Sequence, residues 1–586
     1  MMTNNDIATV FKQIASALEL LEANRFRING YQRVSRVLKD LTEDLAALVQ
    51  EHPESAVRRL TAFDGIGKGS AEKIVELVTT GEMAEHQQLL AKVPAGLFDV
   101  LAIPGIGPKA ATLMWKDLGI TSLDDLKQQL DSPELASLPR MGAKTIENIK
   151  KAIAFQEKSA DRVPLGIARP LALRLRDELR QVSGVLRLEY AGSLRRGRET
   201  IGDLDFLAAC DDPEAVRERF ATLPEVTQVL ARGETKSSVR LEAGDTVLQA
   251  DLRIVPEAVY GAALMYFTGS KEHNVRLREI AIKQGRRLNE YGLFEGTEER
   301  PQDRGQEPLA AADEADIYRV LGLDYIPPEL REDRGELDGP APRLIELEDV
   351  KAELHAHTVA SDGKMTIEEL AECAKRHGHH TLAVTDHSQS SVIAGGLSEE
   401  RLLEHIEAIR RADEEVDGIK LLAGAEVDIL PDGDLDYSDE ILAQLDVVVA
   451  SPHASLRQDP ATATRRLLRA IRHPLVHILG HPTGRIINRR EGLSPDMNAL
   501  FEAAAEHGTA LELNANWRRL DLRDSHLRPA LERGCLIAID TDTHRADQMD
   551  HLIYGILTAR RAGLEADACI NTWPAEKLHA WLASKR

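Results

Sequence analysis

The stretch AGSLRRGRETIGDLDF (191–206) is the densest run of chemistry in the first half of this 586-residue chain. Gly192-Ser193 closes a strand-like run, VLRLEYAGS (185–193), and offers amide and hydroxyl donors, while Arg195 and Arg196 add positive charge. Gly202 then leads into Asp203-x-Asp205. Side chains two apart on a strand share a face. The two carboxylates therefore point the same way, which is unfavourable unless a divalent cation sits between them. Asp251, in TVLQADLRIV (246–255), is a third carboxylate among apolar neighbours. Three aspartates around two Mg²⁺ make a phosphoryl-transfer clamp, one ion activating an attacking hydroxyl and the other holding a triphosphate. A lone Asp-x-Asp is common at strand edges. Joined to Gly-Ser-x-Arg-Arg at this spacing, it points to nucleotidyl transfer.

Around this stretch, from about residue 165, a helix is followed by strand runs, including DLDFLAAC (203–210) and VTQVLAR (226–232), which predicts a mixed α/β domain. Upstream, helical spacing over 8–24, 36–49 and 70–81 predicts short helices. Three glycine turns punctuate that region: Gly65-Ile66-Gly67-Lys68, Gly105-Ile106-Gly107-Pro108-Lys109 and Met141-Gly142-Ala143-Lys144. A glycine turn opening a helix lets backbone amides reach a phosphate, and the helix N-terminus adds positive potential. One such turn is an ordinary helix ending. Three within about 80 residues, each with a lysine behind it, favour contact with a nucleic-acid backbone. Lys73, in the helix after the first turn, has the spacing of a Schiff-base nucleophile. From spacing alone a solvated lysine is the better reading.

Downstream, PPELREDRGELDGPAPRL (327–344) reads as a linker. Beyond it, short apolar strands alternate with helices over ~240 residues, the pattern of a barrel-like α/β domain with reactive residues at strand ends. Sixteen of the 19 histidines lie after residue 330. His355 and His357, Asp362, His387, Glu426, His453, His481, Asp542 and His544 each stand at the end of an apolar strand or in the loop after it. Six imidazoles and three carboxylates suffice for a three-metal cluster of Zn²⁺, Mn²⁺ or Fe²⁺. His377, His379, His380, His473 and His477 lack that placement and read as surface or supporting residues.

The front half resembles the family X DNA polymerases, the group of DNA polymerase beta. The likeness rests on the 191–206 stretch and on the YFTGS and LNEYGLF blocks within 266–294. It implies that Asp203, Asp205 and Asp251 hold the catalytic Mg²⁺ ions and that Ser193, Arg196 and Gly202, with Gly192 and Gly269, border the triphosphate. It implies too that Tyr266 and Phe267 flank the sugar and that Asn274 and Arg278 reach the minor-groove edge. Gln249 stands where animal members have an arginine. Lys73 matches the family's lyase lysine and Gly69 replaces a nearby DNA-contacting lysine, which leaves 5′-deoxyribose-phosphate lyase activity open. The histidine-rich half resembles PHP (polymerase and histidinol phosphatase) domains, distorted (β/α)₇ barrels that hydrolyse phosphoesters, with all nine ligand positions filled and Glu353 outside the set. The full order is that of the bacterial PolX group. It implies a helical DNA-binding or lyase domain over 1–85, a second helix-hairpin-helix domain over 86–160, a palm over 161–260, a thumb over 261–326, a linker over 327–346 and a PHP domain over 347–586.

Composition agrees with an intracellular enzyme. Hydrophobic residues are 43% and charged ones 29%, which excludes general disorder. Four scattered cysteines exclude a disulfide scaffold. No signal peptide or membrane span is expected, and the chain is expected to be a cytoplasmic monomer. The net charge of −23 falls mostly on residues 331–586, which carry 30 Lys and Arg against 45 Asp and Glu; bound cations invert such a field locally. The expected substrates are dNTPs and gapped or primer-template DNA. The expected activities are short-gap synthesis in base excision repair and Mn²⁺-dependent 3′-5′ digestion, with AP-endonuclease and 3′-phosphatase activities open. Two rivals stand beside this reading: a PHP phosphatase for a small phosphomonoester with a DNA-targeting front half, and a DNA-structure-binding protein with degenerate catalysis.

Overall fold

The structure, a computed structural model, describes the chain apart from residues 1, 3, 41–44, 64, 104–105, 160–161, 245, 299 and 586. It divides into two compact units, Met1–Lys158 and Ser159–Arg586.

The first unit is helical throughout and closes on one apolar core of Ile, Leu, Val and Ala side chains around Phe11 and Tyr31. The helix expected over 36–49 divides between Arg25–Asp40 and Leu45–Glu51, residues 41–44 lying outside the described ones. The glycine turns open the helices Lys68–Thr80, Pro108–Leu118 and Ala143–Ser159. Gly67 and Gly107 cap the first two without a side-chain hydrogen bond, so first-turn amides remain to be satisfied from outside.

The second unit begins with a five-stranded sheet in the order Val185–Tyr190, Asp203–Cys210, Thr246–Ile254, Lys236–Ala243, Val226–Arg232. The strand Lys236–Ala243 is absent from the sequence reading; its KSSV start hides an alternation that becomes apolar only at Val239 and Leu241. Helices Leu165–Arg180 and Pro213–Ala221 bury Leu171, Leu175, Val216 and Phe220 in the core on one face of the sheet. Helices Tyr260–Thr268, Lys271–Lys283 and Glu314–Leu321, with the hairpin Arg286–Glu295, follow as a smaller layer around Tyr318.

The segment expected as a linker is a packed strap whose charges are paired rather than solvated. Arg331 is fully buried against Glu314, Glu329 holds Arg560, and Glu336 holds His273. Beyond it seven parallel strands run in chain order from Ala352–Glu353 to Ile537–Asp540. The bridge from Ala356 to Thr543, and the Leu354 amide donating to Asp540, bring the first and last strands together into a nearly closed barrel. Ile487, Leu520 and Tyr554 of the barrel are buried in the same apolar cluster as the five-stranded sheet, so sheet and barrel share a core.

Candidate active sites

The first site lies on two adjacent parallel strands of the five-stranded sheet. Asp203 and Asp205 share a face, and the register sets Asp205 directly opposite Asp251. Burial, Asp203 and Asp251 push the Asp205 carboxyl up to about 7; burial and Asp251 raise Asp203 as well. Asp251 behaves differently. Burial opposes its charge, but the Lys236 ammonium at 2.7 Å, Ser238 and Gln249 hold it below the usual range. Asp251 is paired with Lys236, on the neighbouring strand. Lys236 and Arg253, which lies over the Phe267 ring at 4.3 Å, escaped the sequence reading. Both reach the site through strand register, which no local motif encodes.

Gly192 is required by geometry. Its φ is +62°, and a Cβ there would sit 2.4 Å from Asp205 Oδ2. Replacing Gly192 by alanine forces the short helix Gly192–Arg195 or the carboxylate aside. Nucleotide incorporation is expected to fall about 100-fold, the loss typical of a 1 Å misplacement, with 3′ digestion unchanged, as single-turnover extension will show. Ser193 Oγ is buried without a hydrogen-bond partner among the described residues, free for an incoming group. Gly202 sits against Arg162, whose Nη1 would lie 3.1 Å from a Cβ. Arg196 donates to Glu332 and to the Thr268 carbonyl, next to Gly269, so part of its guanidinium is already engaged. Tyr266 and Phe267 meet edge to face at 5.1 Å. Asn274 donates to the Tyr266 carbonyl, and Arg278 to that of Asn274, which ties the four expected thumb residues together.

Without metal, the raised Asp205 carboxyl has a thermodynamic signature. Its folded pKa of about 7 exceeds the ordinary value near 3.8, so folding favours the protonated form. The benefit is complete below about pH 4 and is lost as pH rises through 7. Asp205→Asn is therefore expected to raise the stability of the EDTA-treated chain at pH 8 by about 2 kcal/mol after allowance for solvent screening. The difference should vanish toward pH 4, measured by thermal unfolding.

The second site fills the C-terminal mouth of the barrel. Eight of the nine expected ligands form three overlapping groups whose donor atoms lie within 4.8 Å of one another: His357, Asp362, His387 and His544; His355, His357 and Asp542; His387, Glu426 and His453. The ninth, His481, joins through Glu426 Oε1 at 2.8 Å. Glu426 lies inside its strand, Lys420–Asp428, rather than after it, and is reached by His355, His357, His387, His453 and His481. His355, His357 and Glu426 are essentially inaccessible.

Several donors there are orphans. His355 Nε2, both ring nitrogens of His357, and Glu426 Oε2 are buried with no hydrogen-bond partner among the described residues. Burial and the neighbouring histidines push His357 down to about 4, and burial with Arg519 takes His481 to about 3. Burial opposes charge on His453, but Glu426 and Asp428 outweigh it and raise it to about 10. Neutral imidazoles with free lone pairs, beside carboxylates held charged, are what a divalent cation needs. The donor set fits a cluster of divalent ions.

Three supporting carboxylates escaped the sequence reading. Glu512 accepts from His355 Nδ1 at 2.6 Å, Asp428 from His453 Nδ1 at 2.9 Å, and buried Asp386 holds Thr358, Ser361 and His405. Glu512 and Asp428 fix the ligand rings from behind, while Asp386 ties down the loop after His357. Of the histidines set aside as surface or supporting, His379 and His477 are buried away from the metal groups.

In the first unit, Gly67, Gly107 and Gly142 would each meet nothing within 4 Å on gaining a Cβ, so the space in front of these helix openings is free. Lys68, Lys109 and Lys144 are exposed beside them. Gly65 is constrained instead by packing, a Cβ falling 2.7 Å from Val37, and Gly105 lies outside the described residues. Lys73 is half-buried, donating to Tyr31 and paired with Glu85 at 2.7 Å. Burial lowers its pKa but the partners outweigh it, so the amine is held as ammonium.

Comparison with known proteins places these sites in a family. Family models match residues 2–83 and 98–154 (helix-hairpin-helix domains), 263–332 (DNA polymerase beta thumb) and 353–516 (PHP domain). DNA polymerase lambda of Rattus norvegicus is 27% identical over 53% of this chain and 53% of its own length. A probable phosphatase of Thermoanaerobacter is 28% identical over 40% of this chain and 94% of its own length. The DNA polymerase/3′-5′ exonuclease PolX of Bacillus subtilis is 36% identical over 99% of both chains. With two carboxylate-built sites in one chain and a full-length relative at that identity, the chain belongs to the PolX family, the family X polymerases that carry a PHP domain.

Proposed function

We propose that this member of the family fills short gaps in DNA from its palm and removes 3′ nucleotides at its barrel. The chain is a nucleotidyltransferase with a phosphoesterase domain. The observation that carries the finer reading is the pair of separate anionic centres on one body, one beside an orphaned serine hydroxyl and one lined with imidazoles. At the palm, Asp203, Asp205 and Asp251 would hold two Mg²⁺. Gly192 and Ser193 would donate to triphosphate oxygens, Arg196 would offer its unengaged N–H groups, and Tyr266 and Phe267 would wall the sugar. At the barrel, Mn²⁺ or Zn²⁺ would be held by the nine ligands with Glu426 between them. Divalent ions so held acidify an attacking hydroxyl or water and neutralise phosphate charge. The protein's own part is alignment: Glu512 and Asp428 fix the rings, and buried Glu426 and Asp542 stay ionised. The lysine-flanked helix openings would grip backbone phosphates, the setting being base excision repair. Lyase action through Lys73 would require the Glu85 pair to open.

Primer extension and 3′ digestion on a one-nucleotide-gapped duplex, with Mg²⁺ and then Mn²⁺, test this reading. Gap filling in Mg²⁺ and digestion in Mn²⁺ are expected. A chain that hydrolyses a small phosphomonoester while leaving DNA intact would support the phosphatase reading suggested by the 94% coverage of the Thermoanaerobacter protein.

A further inference from the structure

The C-terminal half is acidic, yet its arginines are unevenly placed. Residues 461–490 hold seven arginines and neither Asp nor Glu. At the barrel mouth, the loops after three adjacent strands, Ile478–Leu479, Ala510–Asn514 and Ile537–Asp540, carry Arg489 and Arg490, Arg518 and Arg519, and Arg545. The Ile487 amide donates to the Arg518 carbonyl at 2.7 Å, which fixes the first two loops side by side. Arg519 Nε lies 3.6 Å from Asp542 Oδ2, so the arc starts at the ligand set. Arg518 stacks on the Trp517 ring at 4.8 Å.

Among the described residues, Arg489, Arg490 and Arg518 have no carboxylate within 4.0 Å; Arg490 Nε donates to the Gly484 carbonyl at 2.8 Å, and Arg545 pairs with Asp547. The guanidinium groups also crowd one another. Burial, Arg489 and Arg545 hold Arg518 below its usual range, and burial with Arg519 does the same to Arg490. Like charges held together with fewer counter-charges than arginines are unfavourable until an anion arrives, and a row of them matches a phosphate backbone.

The arc has a direction. Asn488 Nδ2 donates to the Arg162 carbonyl at 2.7 Å, and Trp517 lies so close to Gly166 that a Cβ there would sit 2.1 Å from its ring. Arg162 bonds Thr200, and its charge acts on Asp203. The basic row therefore runs from the barrel ligands to the edge of the palm site. We propose that this arc is a backbone track for a single-stranded DNA 3′ end, leading it from the palm into the barrel. The proposal rests on the nuclease reading above.

The test uses the full chain carrying Arg489→Gln and Arg518→Gln together, residues outside the ligand set. Three rates are compared with the parent in Mn²⁺: 3′ digestion of oligothymidylate across a salt series, hydrolysis of bis(p-nitrophenyl) phosphate, and extension of a gapped duplex. The track requires KM for oligothymidylate to rise about tenfold with kcat nearly unchanged. It also requires the salt dependence of kcat/KM to become shallower by about 1.4 in log–log slope, from two lost single-strand contacts at ~0.7 each. Small-diester hydrolysis and extension stay at parental rates. A parent that digests DNA, with a double variant of unaltered KM and salt slope, would overturn the track alone. A parent that hydrolyses the small diester and spares DNA would overturn the nuclease reading and the track with it.

Discussion

Asp203→Ala combined with Asp205→Ala is expected to lower nucleotide incorporation by at least ~10³-fold while 3′ digestion of a single-stranded oligonucleotide continues at the parental rate. The two carboxylates share one strand face, and Asp205 opposes Asp251. Removing both leaves only Asp251, already neutralised by Lys236. No pair of anions then remains to hold two cations, and loss of one preorganised electrostatic element costs about 10²–10³ by itself. The double variant is expected to fold, because it removes two like charges that burial and mutual repulsion already disfavour. Incorporation that persists within tenfold of the parent would contradict the assignment of the palm site.

How much of this was legible in sequence depends on whether a residue acts through its own strand or through its neighbours. Asp203-x-Asp205 and His355-x-His357 are visible because alternation along one strand fixes a shared face. The ligands from His387 to His544 are visible because parallel barrel strands deliver their C-terminal ends to one mouth. Lys236 is not, because its contact with Asp251 comes from the pairing of a strand whose polar start masks it. Glu512 carries no such mark, since a carboxylate beneath a metal ligand has no spacing of its own. Contacts between domains leave still less trace. Glu332 joins Arg196 to Arg561 across the strap, and Arg485 bonds Glu199. Proline, glycine and charge made 327–344 read as a linker, and the same charges, once paired, make it a strap.

Glu426→Gln is expected to have the largest effect on the barrel: at least ~10³-fold loss of Mn²⁺-dependent 3′ digestion, with gap filling retained. Glu426 is fully buried, and five histidines lie within ion-pair distance of its two oxygens. Burial would favour the neutral acid, but His453, His355 and His387 hold it charged, well below the usual carboxylate range. Glutamine preserves the volume and removes the charge, and it places an N–H donor where two cations would share an anion. A neutral amide neither bridges nor compensates two divalent ions. His453, raised to about 10 partly by this carboxylate, then loses its main support, and its pKa is expected to fall. Metal analysis of the purified variant separates cause from consequence. Reduced Mn²⁺ content in the barrel with a normal far-UV spectrum would attribute the loss to the cage itself, whereas full metal content with lost digestion would move Glu426 from holding the ions to acting on the substrate.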